Sequence, residues 1–301
     1  MKPFIKWAGG KTELIPILDS NIPNIFKDNN KINIYIEPFL GAGSFFFHIT
    51  NNYDFDRIVL NDINFKLINV YKVIKTNYKN LIFYLDDIKK EYMSCDDESK
   101  KHMYLRIRNE FNDWDSVNKI KQAANFIFLN KTCFNGLYRE NKNGDFNVPF
   151  GKQYKPLIYN KKQLESISKT LNTKDDKGKN KIIILNKNYK DIYKYVVRGS
   201  FVYLDPPYRP ITSNGFINYT KTGFNDEEQK ELAKFFDYIT KKKAYGMLSN
   251  SDPKNLDIND NFFDELYKDY NIQRINASRV INCKGNSRGK VKELLITNYN
   301  N

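Results

Sequence analysis

Length and composition describe a folded and strongly basic chain. It has 301 residues, of which 41% are hydrophobic, including 22 Phe and 21 Tyr, and this content excludes an intrinsically disordered protein although 28% of the residues are charged. The formal net charge of +14 favours a polyanionic partner such as nucleic acid. No segment approaches the roughly 18 consecutive apolar residues of a membrane span, and the N-terminus lacks the apolar core of a signal peptide. We therefore expect a cytoplasmic protein that does not enter a membrane.

Cysteine and histidine usage argues against both a disulfide framework and a metal centre. The three cysteines, Cys95, Cys133 and Cys283, are far apart in sequence and form no C-x-x-C pair. The two histidines, His48 and His102, are also distant from each other, so the usual imidazole ligands of zinc are lacking. We predict that the protein binds no metal and works in a reducing compartment.

The hydrophobic patterns predict an α/β protein with one parallel-rich sheet. Residues 33–37 and 57–60 have the pattern of buried strands, with a helix over 44–51 between them. Apolar residues at spacings of three and four then predict helices from 65 to 129, and turn signals in 130–151 predict a hairpin or an ordered loop. The remaining predicted elements are strands at 182–185, 200–204, 244–249, 272–281 and 293–297, and a helix at 226–240. Both ends of the chain therefore build the sheet around a mostly helical insertion.

A glycine-containing turn follows the first strand. Gly41 and Gly43 would let the backbone approach a ligand closely at the start of a helix. Phe46 stands where a dinucleotide fingerprint needs a small residue, so NAD and FAD are disfavoured. Taken alone, the glycines fit a tight turn without a ligand equally well. Asp62 ends the next predicted strand, where a carboxylate can accept hydrogen bonds from ribose hydroxyls, and it shifts the interpretation towards a nucleoside-bearing ligand.

The N-terminal segment 9–12, with sequence GGKT, ends like a phosphate-binding P-loop. Ile5 stands where that motif requires glycine, and no strand precedes it, so a triphosphatase is disfavoured. The segment FIKWAGGK nevertheless brings Trp7, two glycines and Lys11 together, which suits an aromatic, anionic small molecule. The alternative is a flexible N-terminal loop that Trp7 packs onto the body of the protein.

The most specific pattern is the tetrapeptide Asp205, Pro206, Pro207 and Tyr208, directly after the apolar strand FVYL. Two prolines cannot continue a strand ladder, and they stiffen a loop at the carboxyl end of a strand, where open α/β sheets bind their ligands. The loop presents a carboxylate, rigid carbonyl groups and an aromatic ring. These groups suit a planar base with an exocyclic amine, whereas an ordinary Asp-Pro turn is the alternative.

Four motifs in this order, FIKWAGGK, EPFLGAGS, LND and DPPY, resemble the Dam-type (D12 class, alpha group) site-specific DNA adenine-N6 methyltransferases. The stretches FNGLYRENKNGDFNVPFG and SRGKVKELLITNY resemble the recognition hairpin and the C-terminal strand of that family. The resemblance implies a Rossmann-like class I methyltransferase sheet with an inserted, mostly helical DNA-recognition domain that bears a β-hairpin. It assigns residues 1–67 and 181–301 to the catalytic domain that binds S-adenosylmethionine and residues 68–180 to target recognition.

The resemblance also implies roles for individual residues. The implied S-adenosylmethionine contacts are Trp7, Lys11, Gly41, Gly43, Asp62, Asp205, Tyr189 and Asp191. Of these, Asp62 would bind the ribose, and Tyr189 and Asp191 would lie near the adenine. The implied catalytic residues are Asp205, Pro206, Pro207 and Tyr208, of which Asp205 and Tyr208 would hold the target base. The implied DNA contacts are Phe134, Asn135, Leu137, Arg139 and Asn141.

The predicted function is methyl transfer from S-adenosylmethionine to a flipped adenine in a short site of double-stranded DNA. GATC is the expected site, with Arg139 making a bidentate contact to guanine, or alternatively contacting only phosphate. Residues 209–224 are expected to close over the base. An RNA adenine methyltransferase and a catalytically silent DNA-binding relative are the alternatives, and the sequence leaves open whether a restriction endonuclease partner exists.

Overall fold

The computed structural model describes residues 1–116, 118–152, 156–209, 224–278 and 290–301. Within these ranges the chain forms a seven-stranded sheet in the order β3-β2-β1-β4-β5-β7-β6. The strands are β1 Lys31–Glu37, β2 Asp54–Asn61, β3 Ile182–Leu185, β4 Phe201–Leu204, β5 Tyr245–Ser251, β6 Asn271–Ser278 and β7 Lys290–Thr297. The strands β1 to β5 pair with one another in parallel, whereas β7 is antiparallel to both β5 and β6. The predicted parallel-rich α/β fold is confirmed.

The sheet is buried in the middle, and its sequence shows why. All four residues of β4 are buried, as are the last three of β1 and the last four of β2. Parallel strands covered on both faces need such continuous apolar runs. The prediction of a strand over 272–281 agrees with β6 as far as Ser278, and its last three positions lie outside the described residues. The strand β7 begins three positions before the predicted 293.

Helices cover the sheet and fill the segment between β2 and β3. They are α1 Ile15–Ser20, α2 Asn24–Asp28, α3 Ser44–Asn52, α4 Phe65–Ser94, α5 Asp97–Asn112, α6 Lys119–Thr132, α7 Lys161–Leu171, α8 Asp226–Lys241 and α9 Phe262–Leu266. The Asn64 side chain caps α4 by accepting from the Leu67 amide, and Asn225 caps α8 by accepting from the Glu228 amide. The long α4 is interrupted at Asn77, whose backbone angles are not helical.

The segment after α6 only partly matches the predicted hairpin. Its antiparallel pairing consists of isolated bridges, Cys133 with Phe150 and Glu140 with Phe146. Pro149 has no N–H to donate, and Asn141 closes a tight turn, so no regular ladder extends between the bridges. A single hydrophobic cluster runs from the sheet into α4, α5 and α6. The division of the chain at 67/68 and 180/181 stays a prediction.

The strand order places a switch point beside β1. From β1 the chain continues to β2 and β3 on one side, and β4 and β5 lie on the other. In open α/β sheets, ligands bind outside the carboxyl ends of the strands at such a point. The turns that follow β1, β2 and β4 meet there. None of the helices in the described ranges is both long enough and apolar enough to cross a bilayer.

Candidate active site

A cavity of about 480 Å³ opens at this switch point. Its volume falls within the range of small-molecule sites, roughly 300–1,000 Å³. The walls come from the N-terminal loop, the turns after β1 and β2, the short helix Tyr189–Tyr195 and the DPPY loop after β4. The residues predicted from the sequence that line it are Trp7, Lys11, Gly41, Gly43, Asp62, Tyr189, Asp205, Pro206, Pro207 and Tyr208.

The glycine turn is shaped by close packing. Gly41 and Gly43 have positive φ angles of 49° and 70°. A Cβ atom on Gly41 would lie 2.9 Å from the Trp7 ring, and one on Gly43 would lie 2.8 Å from the Tyr71 hydroxyl. The absence of a side chain at these two positions therefore makes room for neighbouring aromatic residues as well as for the cavity. Trp7 in turn stacks on Tyr138, with ring centroids 5.2 Å apart.

Asp62 is held by backbone amides at the end of β2. Its Oδ2 accepts from the Gly41 N–H at 2.9 Å, and its Oδ1 accepts from the Asn64 N–H at 2.9 Å. Burial raises the pKa of the Asp62 carboxyl above its ordinary value, and these hydrogen bonds oppose the rise. Each carboxylate oxygen has a second lone pair. The group can therefore accept further hydrogen bonding from a ligand in the cavity.

Asp205 is paired with a buried lysine. The Lys11 ammonium lies 2.9 Å from Asp205 Oδ1, and the Ser249 hydroxyl donates to the same oxygen at 3.0 Å. Lys11 also donates to the Gly9 carbonyl and is only 4% exposed. Burial raises the pKa of Asp205, and the Lys11 charge opposes that rise. Both hydrogen bonds described for this carboxyl are made to Oδ1, so Oδ2 is the oxygen that can receive a donor from a substrate.

Tyr208 is restrained at its hydroxyl and over its ring. The phenol donates to Glu293 Oε2 at 2.6 Å, and the Lys11 ammonium lies 4.4 Å from the ring centroid. Burial raises the pKa of the phenol well above its ordinary value, and the charges of Asp205 and Glu293 add to this effect. The phenol therefore stays protonated and acts as a hydrogen-bond donor. The Pro207 carbonyl accepts from the Gln229 side chain at 3.3 Å, which fixes the middle of the loop.

Tyr189 and Asp191, both predicted near the cofactor, are separated by the structure. The Tyr189 ring lies 5.2 Å from that of Phe39, and its buried hydroxyl has no described hydrogen-bond partner. Asp191 is exposed and does not line the cavity. Side chains two positions apart on a 3₁₀ helix project in different directions, and of these two only Tyr189 lines the cavity. The cofactor contact of Asp191 stays a prediction, and its side chain lies outside the cavity lining.

The predicted DNA contacts lie beside the cavity, around the turn after α6. Phe134 is 46% exposed, and Asn135 is also exposed. Asn135 and Leu137 line a neighbouring groove of about 350 Å³ that shares Trp7 with the main cavity. A buried ion pair between Lys66 and Glu140, 2.9 Å long, anchors this segment to the start of α4.

The side chains of Arg139 and Asn141 already make hydrogen bonds within the same segment. Arg139 donates from Nε to Asn147 Oδ1 at 2.7 Å and from Nη2 to the Asn147 carbonyl at 3.3 Å. The Asn141 side-chain oxygen accepts from the Asn143 and Asp145 amides, and its nitrogen donates to Asp145. The Asn141 amide thus builds the turn, and its contact with DNA stays a prediction.

Several residues of the site were missed by the sequence analysis. Glu37 ends β1, lines the cavity and is 2% exposed. Its side chain accepts a hydrogen bond from the Tyr35 hydroxyl at 2.7 Å, and burial raises the pKa of its carboxyl well above the ordinary value. Its position at the carboxyl end of a strand was the available signal. Ser249 and Glu293 had no local signal, because they reach Asp205 and Tyr208 from distant strands.

Asn61 joins two loops of the cavity wall and was also missed. Its side-chain nitrogen donates to the Pro38 and Lys187 carbonyls, each at 3.0 Å, and its oxygen accepts from the Lys187 amide at 3.0 Å. The buried amide is therefore satisfied while it ties the loop after β1 to the loop after β3. In the described ranges no group of three or more His, Cys, Asp or Glu side chains is arranged to hold a metal ion.

The mostly parallel sheet, the cavity at its switch point and the DPPY loop define an α/β enzyme of the Rossmann-like methyltransferase type. The profile of the D12 class N6 adenine-specific DNA methyltransferases matches residues 7–281. The chain belongs to this family, and it is an adenine-specific DNA methyltransferase. The predicted family and enzyme class are confirmed.

Related proteins align with nearly the whole chain. The chain is 43% identical over 302 residues to the type II methyltransferase M.MjaIII of Methanocaldococcus jannaschii, with 99% of each chain covered. It is 32% identical over 296 residues to the DNA adenine methylase of Vibrio cholerae, covering 98% of this chain and 95% of that one. The DNA adenine methylase of Escherichia coli K12 is 30% identical over 295 residues, covering 98% and 94%.

Proposed function

We propose that the enzyme transfers a methyl group from S-adenosylmethionine to N6 of a flipped adenine in a short duplex site, GATC. The observation that carries the proposal is that Asp62 and Asp205 line one cavity at the switch point of the sheet. One carboxylate suits ribose hydroxyls and the other suits an exocyclic amine. A nucleoside donor and an adenine acceptor can therefore meet within the same site.

The residues of the cavity suit the proposed donor. Asp62 has free lone pairs for the ribose hydroxyls, and the Phe39 and Tyr189 rings offer an apolar wall for an adenine. The buried, unpartnered Tyr189 hydroxyl supplies a polar group in that wall. When bound, S-adenosylmethionine supplies a methyl group on a cationic sulfur, which needs no metal for activation.

The chain's own contribution to the reaction is positioning and electrostatics. The adenine amine is a poor nucleophile because its lone pair is delocalised into the ring. Asp205 Oδ2 and the Pro206 carbonyl can accept the two amine hydrogens, which concentrates the lone pair on nitrogen and stabilises the positive charge that develops there. Lys11 favours the ionised form of Asp205 against the effect of burial. Tyr208 can stack on the flipped base and replace part of its lost stacking.

Contacts with DNA are proposed for the segment beside the cavity. Arg139 carries five N–H donors, of which Asn147 engages two, so the Nη1 end can still make a bidentate contact with guanine O6 and N7. The Asn147 contact would hold the guanidinium in a fixed orientation. The proposed lid over the base spans 209–224, and its residues 210–223 lie outside the described part of the chain.

Methyl transfer from labelled S-adenosylmethionine tests this function. We expect labelling of N6 in a duplex that contains GATC, less labelling of duplexes with one base of the site changed, and no labelling of an RNA of the same sequence. Preferential labelling of the RNA would replace the proposal with an RNA methyltransferase. No labelling of any nucleic acid by the folded protein would support the catalytically silent alternative.

A further inference from the structure

The strand β7 brings a carboxylate to the DPPY loop from the far end of the chain. Because β7 runs antiparallel to β5, its early residues lie at the carboxyl end of β5, on the edge of the sheet where the cavity opens. Glu293 pairs there with Ser251 through the backbone, and its side chain accepts the hydrogen bond from Tyr208 at 2.6 Å. The backbone register of β7 thus determines where this carboxylate is presented.

The orientation of the Tyr208 ring depends on few contacts. The two side-chain torsions of a tyrosine allow several ring planes, since the outer torsion has broad minima. The Lys11 ammonium, 4.4 Å from the ring centroid, covers one face, and Glu293 holds the hydroxyl. Lys11 is itself fixed by Asp205 and the Gly9 carbonyl. One restraint at the face and one at the hydroxyl together limit the ring to a single plane, and a flipped base would stack on the face opposite Lys11.

We propose that Glu293 is a positioning residue that fixes the Tyr208 ring in the plane required to stack on the flipped adenine. The inference rests on the proposed function of the DPPY loop. Glu293 acts through Tyr208 and is not among the residues that line the cavity. A hydrogen bond from a phenol to a carboxylate is among the stronger kinds, so its loss has a measurable effect.

A double-mutant cycle tests the coupling between the two side chains. Tyr208→Phe keeps the aromatic face and removes the donor, and Glu293→Ala removes the acceptor. We expect each variant to lower the single-turnover rate of methyl transfer by about 10- to 100-fold, with an unchanged KM for S-adenosylmethionine. The double variant should be no slower than the slower single variant, because both substitutions break the same hydrogen bond.

Two further variants separate positioning from general structural support. Glu293→Gln keeps an acceptor oxygen and should recover most of the lost rate. Glu265→Ala removes an exposed glutamate on α9 and should leave the rate unchanged. If Glu293→Ala fails to fold, Tyr208→Phe and Glu293→Gln carry the test: the first must lose the rate and the second must keep it.

The results that would overturn the role of Glu293 differ from the result that would overturn the proposed methyltransferase function. Losses that multiply in the double variant would show that the two residues act independently and would overturn the inference, as would a Glu293→Gln variant as slow as Glu293→Ala. Failure of the wild-type enzyme to methylate any duplex would instead overturn the proposed function. The wild-type measurement is therefore made first.

Discussion

Removal of the Lys11 charge should raise the pH below which the enzyme loses activity. Ionised Asp205 is the stronger acceptor for the amine and stabilises the positive charge that develops on it, and burial already raises the pKa of this carboxyl. Lys11, 2.9 Å away, opposes that rise. An opposite charge this close favours the ionised form of a carboxyl, so without the Lys11 ammonium the pKa of Asp205 should rise further.

The assay is the pH profile of single-turnover methyl transfer with saturating S-adenosylmethionine. As the pH is lowered, the activity of Lys11→Met should begin to fall at a higher pH than the activity of the wild type. Lys11→Arg keeps the positive charge and is the matched control. Each variant's rates are normalised to its own maximum, so a lower overall rate does not affect the position of the acidic limb of the pH profile. An acidic limb in Lys11→Met that coincides with the wild-type limb would refute the link between Lys11 and Asp205.

Three other predictions concern the cofactor, stability and sequence recognition. Asp62→Ala should weaken S-adenosylmethionine binding by about 1.5 to 3 kcal/mol in calorimetry. Asp191→Ala should have a smaller effect because that side chain does not line the cavity, and equal effects of the two substitutions would contradict this expectation. Since the folded pKa of Glu37 is raised, its contribution to stability is full below the unfolded pKa of about 4.3 and is lost as the pH rises. The melting temperature of Glu37→Gln should therefore rise relative to that of the wild type between pH 5 and pH 8. A difference that stays constant with pH would show that the carboxyl is not buried as described. Arg139→Ala should cost about 1 to 3 kcal/mol on GATC and relax discrimination at the guanine, whereas an equal loss on all duplexes would indicate a phosphate contact.

Local patterns predicted the elements that carry the site. The DPPY loop and the glycine turn each follow a short apolar strand, and both line the cavity. Residues 182–185 form β3 with the predicted bounds, and the helix predicted over 226–240 extends by one residue as α8. These features could be predicted because a buried strand, a proline pair and a helix cap each leave a signal within a few positions.

Contacts between distant segments could not be predicted in the same way. The pairing of β7 between β5 and β6 depends on strand order, which no local pattern encodes. The approach of Glu293 to Tyr208 and of Ser249 to Asp205 follows from that order. Lys11 was expected to grip an anionic ligand, yet its nearest charged partner is the Asp205 carboxylate. A local motif indicates the kind of chemistry, whereas the strand order determines which distant side chains contact the motif.

The most direct test of the account is methyl transfer by Asp205→Ala compared with the wild type. The substrate is a duplex with a single GATC site, and the readout is labelled N6-methyladenine formed from S-adenosylmethionine in the presence of a chelator. We predict that the wild type methylates the adenine, and that Asp205→Ala folds, with an unchanged far-ultraviolet circular dichroism spectrum, but loses most of the transfer. Full activity of Asp205→Ala, or a wild type that the chelator inactivates, would contradict the proposed role of the DPPY carboxylate.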